Sequence, residues 1–364
     1  MSYRGNRIQK RNRIAYLDQL KAISILLVII AHVCYYYIPG HINGSEVATF
    51  YDIICKVSIP LFMMVSGVLI LGRKSDFINF VKLRFPRMLI PFFSWWIIFI
   101  VLALVTGNYV RTASVYHVSF ITYIFKMLLG EPQYLGHFWF VWLMLSIYLV
   151  APIINKWITK SSFDEVGIFL IIWFITCIFT TFHLPYINID LRYFAGPLGY
   201  FILGYYLHNK RSFILENKWI WPIVFIAVTI IRLTLPSNNI LTAGTSDNSL
   251  YYNILIVFQA VSFFLTIKNF NYDSRTLSNK NNFFTTGFFS FAIISLSSNV
   301  YGIYLGHMLY YELLTPLFLI NNFWLMIPLS GIFILLLTWA TMLVFNEIPI
   351  LRALTGRIRY KNTR

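Results

Sequence analysis

Ten apolar runs, each about the length of a bilayer crossing, follow one another through this chain. They lie near 15–37, 48–72, 88–106, 137–155, 165–183, 193–208, 218–235, 249–267, 298–319 and 324–346. The runs are continuous rather than alternating, which predicts helices and not the strands of a barrel. The expected fold is an all-α integral membrane protein, a single bundle of about ten transmembrane helices. Composition agrees: only 12% of residues are charged, where a soluble domain carries about 25%. The bundle is expected over 15–346, between a basic tail at 1–14 and another at 347–364.

A net charge of +16 would suit a nucleic-acid binder, but the positions of the charges argue for a topology signal. Arg4, Arg7, Lys10, Arg11 and Arg13 precede the first run, and Arg73, Lys74, Lys82, Arg84 and Arg87 follow the second. Lys156, Lys160, Lys210, Arg211, Lys218, Lys268, Arg275 and Lys280 fall on the same side, as do the basic residues of the C-terminal tail. The opposite loops hold Arg111, Lys126 and Arg192, and Lys21, Lys56 and Arg232 fall inside runs. This asymmetry puts both termini in the cytoplasm. The expected partner is the lipid bilayer, with no nucleic acid; association into a homo-oligomer stays open.

The first run is too long for a cleavable signal peptide, and YYYIPG after it has no small-residue cleavage pattern. Cys34, Cys55 and Cys177 all fall within runs, so neither a disulfide nor a metal cluster is expected. The longest outer connection is 107–136, where VSFITYIFKMLL fits a helix lying on the membrane.

Ionisable groups inside a membrane span are expensive, and a site is their default reading. His32 lies eleven residues after Lys21 in the first run. Eleven residues make roughly three helical turns, so both share a face, and Asp18 falls close to it. His32 stands roughly 25 Å along the helix, where a neutral imidazole can take a proton from a hydroxyl and return it. The bland reading is a structural histidine, with Lys21 an interfacial anchor. Asp52 and Lys56 sit four apart in the second run, as a site or as a plain buried ion pair.

FVKLRFPR places Arg84 and Arg87 three apart in a loop just before the third predicted helix. Two such arginines can clamp phosphate oxygens, though basic residues beside head groups are also ordinary. HFWFVWLMLSIYLVAPII opens a run with His137 and an aromatic cluster that includes Trp139, the composition of an interfacial belt. NVYGIYLGHMLYYE puts Tyr304 and His307 inside a run. No HExxH, Walker loop or GxSxG occurs, so metal or nucleotide hydrolysis has no support.

In order along the chain, YLDQLKAISILLVIIAH, KVSIPLFMMVSG, FVKLRFPR, HFWFVWLMLSIYLVAPII, GYFILGYYL and VYGIYLGH resemble the acyltransferase 3 family of membrane-bound O-acyltransferases, which decorate cell-surface glycans. Within it, the similarity is greatest to the branch that O-acetylates enterobacterial common antigen. The family's Arg-x10-His motif lands on Lys21 and His32, with lysine keeping the charge and losing the planar fork. Its RxxR motif maps onto Arg84 and Arg87 unchanged, and its cation before the PLF run onto Lys56. Many relatives carry a C-terminal esterase-like domain, and none is expected here.

The resemblance implies a bacterial inner-membrane O-acetyltransferase, with acetyl-CoA as cytoplasmic donor and a glycan or lipid-linked glycan hydroxyl as acceptor. His32, Lys21 and Asp18 are then the catalytic candidates, with Arg84, Arg87 and Lys21 holding the donor. Lys56, His137, Trp139 and His307 are the candidate acceptor contacts, and no metal is implied. A covalent acetyl-imidazole is a rival to base catalysis. A proton-coupled exporter of a polysaccharide or lipid-linked sugar is the competing class, since buried Lys, Asp, Arg and His suit it too. A non-catalytic assembly scaffold is a third reading.

Overall fold

The computed structural model describes residues 13–37, 44–73, 76–182, 196–235, 253–276, 288–314 and 322–356. The basic residues at 1–12 and 357–364, together with Lys74, Arg192 and Lys280, lie outside these. Among the described residues the secondary structure is helical, with no strand. Among the described residues, eight helical segments are long and apolar enough to cross a membrane, and a ninth candidate is a pair of helices bent by 97°.

Helix α1 (Ala15–Tyr37) is the axis of the bundle. It packs against α2 (Ser45–Cys55), α3 (Ser58–Ile70), α11 (Ile254–Thr276), α12 (Phe288–Leu314) and α13 (Phe323–Glu347). That position explains why Leu17, Leu20, Ile25, Ile29, Val33 and Cys34 are all buried in a helix that is apolar nearly all round. Helices α2 and α3 form one crossing, Ser45–Ile70, broken at Lys56 and Val57. Pro60 accounts for the break, because it has no N–H to close onto the carbonyl of Lys56.

Helix α4 (Phe77–Val105) begins eleven residues before its expected start, capped by the Asp76 carboxylate accepting from the backbone N–H of Asn79 at 3.2 Å. Arg84 and Arg87 therefore stand on a helix and not in a loop. Helices α5 (Asn108–Tyr116) and α6 (Phe120–Leu129) make the bent pair. They fall on the outer connection expected to hold a surface helix. The indoles of Trp96 and Trp142 tie α6 down by donating to the carbonyls of Ile124 and Leu128.

Helix α7 (Trp139–Ile158) follows a 3₁₀ turn at Gly136–Phe138, and α8 (Phe163–Phe182) returns from it. Two expected spans fall on shorter helices, α9 (Leu198–Asn209) and α10 (Ile220–Thr234). Helix α9 packs closely on α3. A Cβ on Gly67 would lie 1.7 Å from the carbonyl oxygen of Phe201, and one on Gly204 would lie 2.1 Å from that of Met64. Small residues let helix backbones meet where lipid supplies no hydrophobic drive between them. After α13 the chain turns back, and Trp95 of α4 donates to the carbonyl of Leu354 at 3.0 Å, tucking Leu354 and Thr355 into the bundle.

Candidate functional site

Lys21 opens onto a cavity of about 280 Å³ at the basic end of the bundle. Arg84 and Arg87 of α4 line the same cavity, so the structure joins the three cations expected to hold the donor. Asp18 holds Lys21 in place: its carboxylate lies 3.5 Å from the Lys21 ammonium and 3.8 Å from the Arg13 guanidinium, and accepts from Ser297 Oγ at 2.6 Å. Asp18 thus serves the mouth of the cavity and has no contact with His32, which lies about 21 Å further along α1 by helical rise. Away from the cations the walls are apolar and aromatic, from Phe62, Val65, Phe140, Met144 and Tyr301. A ring of cations before an apolar throat suits a ligand with phosphates at one end and a less polar arm at the other.

Beyond that throat three histidines from distant parts of the chain meet. The ring centroid of His32 lies 5.1 Å from that of His307 and 6.4 Å from that of His137, and the latter two are 5.3 Å apart. His307 and His137 are buried, at 0% and 1% exposure. Each is fixed by a backbone carbonyl. His307 Nδ1 lies 2.6 Å from the carbonyl oxygen of Tyr304, and His137 Nε2 lies 3.3 Å from that of Leu305. A carbonyl only accepts, so those nitrogens carry the hydrogens in the neutral rings. The remaining nitrogens, His307 Nε2 and His137 Nδ1, are buried with no hydrogen-bond partner.

His32 is the partly exposed member of the three. It lines a second cavity, of about 80 Å³, with Tyr35, Lys56, Ser58, Trp139 and Tyr304. Lys56 owes its place to the α2–α3 break. Its ammonium lies 3.2 Å from the Asp52 carboxylate, donates to the Tyr35 hydroxyl at 3.2 Å and sits 5.2 Å from the Tyr35 ring centroid. The ion pair and the cavity wall are thus one arrangement. Of the expected acceptor contacts, Lys56 and Trp139 line this cavity; His137 and His307 line neither cavity and stand beside His32. Among the described residues, no group of three or more His, Cys, Asp or Glu side chains is arranged to hold a metal ion.

Tyr304 is the wall common to both cavities. Its hydroxyl donates to the backbone carbonyl of His137, pinning the ring across the junction. Tyr304 has no role legible from the sequence beyond its position three residues before His307, which puts both on one helix face. A buried network also escaped notice. Arg232 of α10 donates to the carbonyl of Ile53 at 2.8 Å and to the Gln259 side chain, and Gln259 donates to Thr229 at 2.8 Å.

Comparison with known proteins bears on this geometry. The pattern of the acyltransferase 3 family, described as an acyltransferase domain, matches residues 14–343. The chain is also similar to a nodulation protein, NolL, of Sinorhizobium fredii, 27% identical over 159 residues, which cover 42% of this chain and 41% of that protein. NolL of Mesorhizobium japonicum is 25% identical over 221 residues, covering 58% of this chain and 54% of the relative. The matches thus span about half the length of these curated relatives. No solved structure matches. Because the family pattern covers 14–343 of the 364 residues, the chain belongs to the acyltransferase 3 family, and its long apolar helices make it a multi-pass membrane protein.

Proposed function

We propose that this acyltransferase moves an acetyl group from cytoplasmic acetyl-CoA to a hydroxyl of a cell-surface or lipid-linked glycan, in the inner membrane of a bacterium. The observation that carries the reading is the meeting of two unlike cavities at Tyr304, one ringed by cations and the other opening on a histidine. In this account Lys21, Arg84 and Arg87 bind the phosphates of the donor, and the basic end of the bundle faces the cytoplasm. The pantetheine arm runs along the apolar throat. Lys21 and His32 are about 16 Å apart by helical rise, a reach suited to that arm.

His32 acts as general base on the acceptor hydroxyl, which enters from the Lys56 and Trp139 side. The sugar oxygen attacks the thioester carbonyl, the carbon–sulfur bond breaks, and the proton taken by His32 passes to the departing thiolate. The products are an acetyl ester and CoA. Base catalysis typically supplies about 10²–10⁴-fold, so the fixed placement of donor and acceptor must supply the rest. The sugar that receives the group is assigned to the surface-glycan class by the family resemblance. Similarity to the enterobacterial common antigen branch is one candidate within that class.

Two distinct cavities that share the wall of Tyr304 also fit an exporter, the one competing reading with a structural observation behind it. Membranes from cells with and without the gene separate the two. Transfer requires that acetyl-CoA be consumed and ester-linked acetate formed only when the chain is present. Unchanged acetate with glycan export impaired would favour export.

A further inference from the structure

We infer that His307 is a positioning residue for His32, holding the base with its lone pair toward the acceptor; this rests on the reading of His32 as general base. The argument starts from two buried atoms. The Tyr304 carbonyl takes the Nδ1 hydrogen of His307 at 2.6 Å, which leaves Nε2 as a bare acceptor. That Nε2 is buried and has no partner. A buried acceptor left unpaired is costly, and such atoms in a native protein call for an explanation.

His32 supplies one. A neutral imidazole has one N–H and one lone pair. To act as a base, His32 must aim the lone pair at the hydroxyl, and its N–H must then find an acceptor behind it. The nearer of its two histidine neighbours is His307, at 5.1 Å between ring centroids. Two imidazoles joined nitrogen to nitrogen by a bond of about 3 Å have centres roughly 5 Å apart. The rings are inclined by 40°, so a turn of the His32 side chain aligns them.

The arrangement has the logic of an acid–base–nucleophile triad, with a neutral imidazole where a carboxylate orients the base in water-soluble enzymes. Within a membrane this orients His32 without adding a second charge to the site. The proton bookkeeping closes without His307 changing state. The hydroxyl proton goes to His32 and then to the thiolate of CoA, while His307 accepts the other His32 N–H throughout.

The test is acetyl transfer from labelled acetyl-CoA to endogenous glycan in membranes that carry equal amounts of each variant. His307→Ala is expected to lower kcat about 100-fold with the KM for acetyl-CoA unchanged. His307→Gln, whose amide oxygen still accepts a hydrogen bond, is expected to recover at least tenfold of that loss. His307→Met fills the space without a comparable acceptor and should behave as the alanine variant does. Should the alanine variant fail to reach the membrane, the glutamine and methionine pair decides. Equal kcat in Gln and Met variants would overturn the inference, as would a rise in KM alone. If His32→Ala is inactive while the His307 variants are normal, the positioning role is wrong and the base stands. If His32→Ala is active, both readings fall.

Discussion

Lys21 and His32 stand three turns apart on one face of α1, yet they open onto different cavities, and Tyr304 lines both. One helix thereby reaches from the cations that suit a donor's phosphates to the base that suits an acceptor's hydroxyl. In the proposed function, that spacing turns a pair of partly buried ionisable side chains into a path for an acyl group.

Removing a cation should weaken donor binding and spare the chemical step. Lys21→Gln and Arg84→Gln are each expected to raise the KM for acetyl-CoA about tenfold at saturable kcat, the worth of one charge-assisted hydrogen bond. Lys21→Arg keeps the charge and should stay within threefold of wild type, roughly 0.6 kcal/mol. Initial rates at two salt concentrations check this, because the contribution of exposed charges shrinks with salt. Loss of kcat without change in KM would place these cations elsewhere in the mechanism.

Asp18 acts through Lys21. Asp18→Asn keeps an oxygen for the Ser297 hydroxyl and gives up the ion pairs to Lys21 and Arg13. A several-fold rise in acetyl-CoA KM with near-normal kcat is expected. Kinetics of the purified variant in nanodiscs would show it, and a kcat loss as large as that of a His32 variant would contradict it.

On the proposed function, Tyr304 keeps donor and acceptor spaces apart. Tyr304→Ala joins the cavities and should increase release of free CoA in the absence of acceptor, as water reaches the thioester. Tyr304→Phe keeps the ring and loses only the hydroxyl bond to the His137 carbonyl, so it should leak less than the alanine variant. A thiol assay on membranes without acceptor measures both. Equal leakage in wild type and Tyr304→Ala would show that the ring is no barrier.

The α3–α9 contact has no room for side chains. Gly67→Val would drive a methyl group into the Phe201 backbone and should destabilise the fold by more than the roughly 1–3 kcal/mol of ordinary overpacking. Fluorescence-detected size exclusion after a heating series would read this as loss of the monodisperse peak. A thermal midpoint equal to wild type would contradict the packing described.

Much of this was legible before any coordinates. Apolar run length placed the helices, and the 3.6-residue period put Lys21 and His32 on one face. The start of α4 was misplaced because the apolar run begins near 88, after the basic turn that carries Lys82, Arg84 and Arg87. The Asp76 cap lies ahead of that turn, and Pro86 and Pro91 are carried within the helix. The meeting of His32 with His137 and His307 could not be read from spacing, since it arises from two helices and a 3₁₀ turn brought together at long range. Nor could the placing of Tyr304 in the wall of both cavities, where its hydroxyl reaches a carbonyl on another segment. Helices α9 and α10 were expected as full crossings by hydropathy alone, and they are shorter.

The central claim is that His32 takes the acceptor's proton. The most direct measurement is ester-linked acetate on surface glycans of the native host, in cells carrying the wild-type chain, His32→Ala or His32→Gln at matched membrane levels. The account predicts acetate at the level of the gene deletion in both variants, with each protein correctly inserted. Wild-type acetylation by a well-folded His32→Ala chain would contradict it.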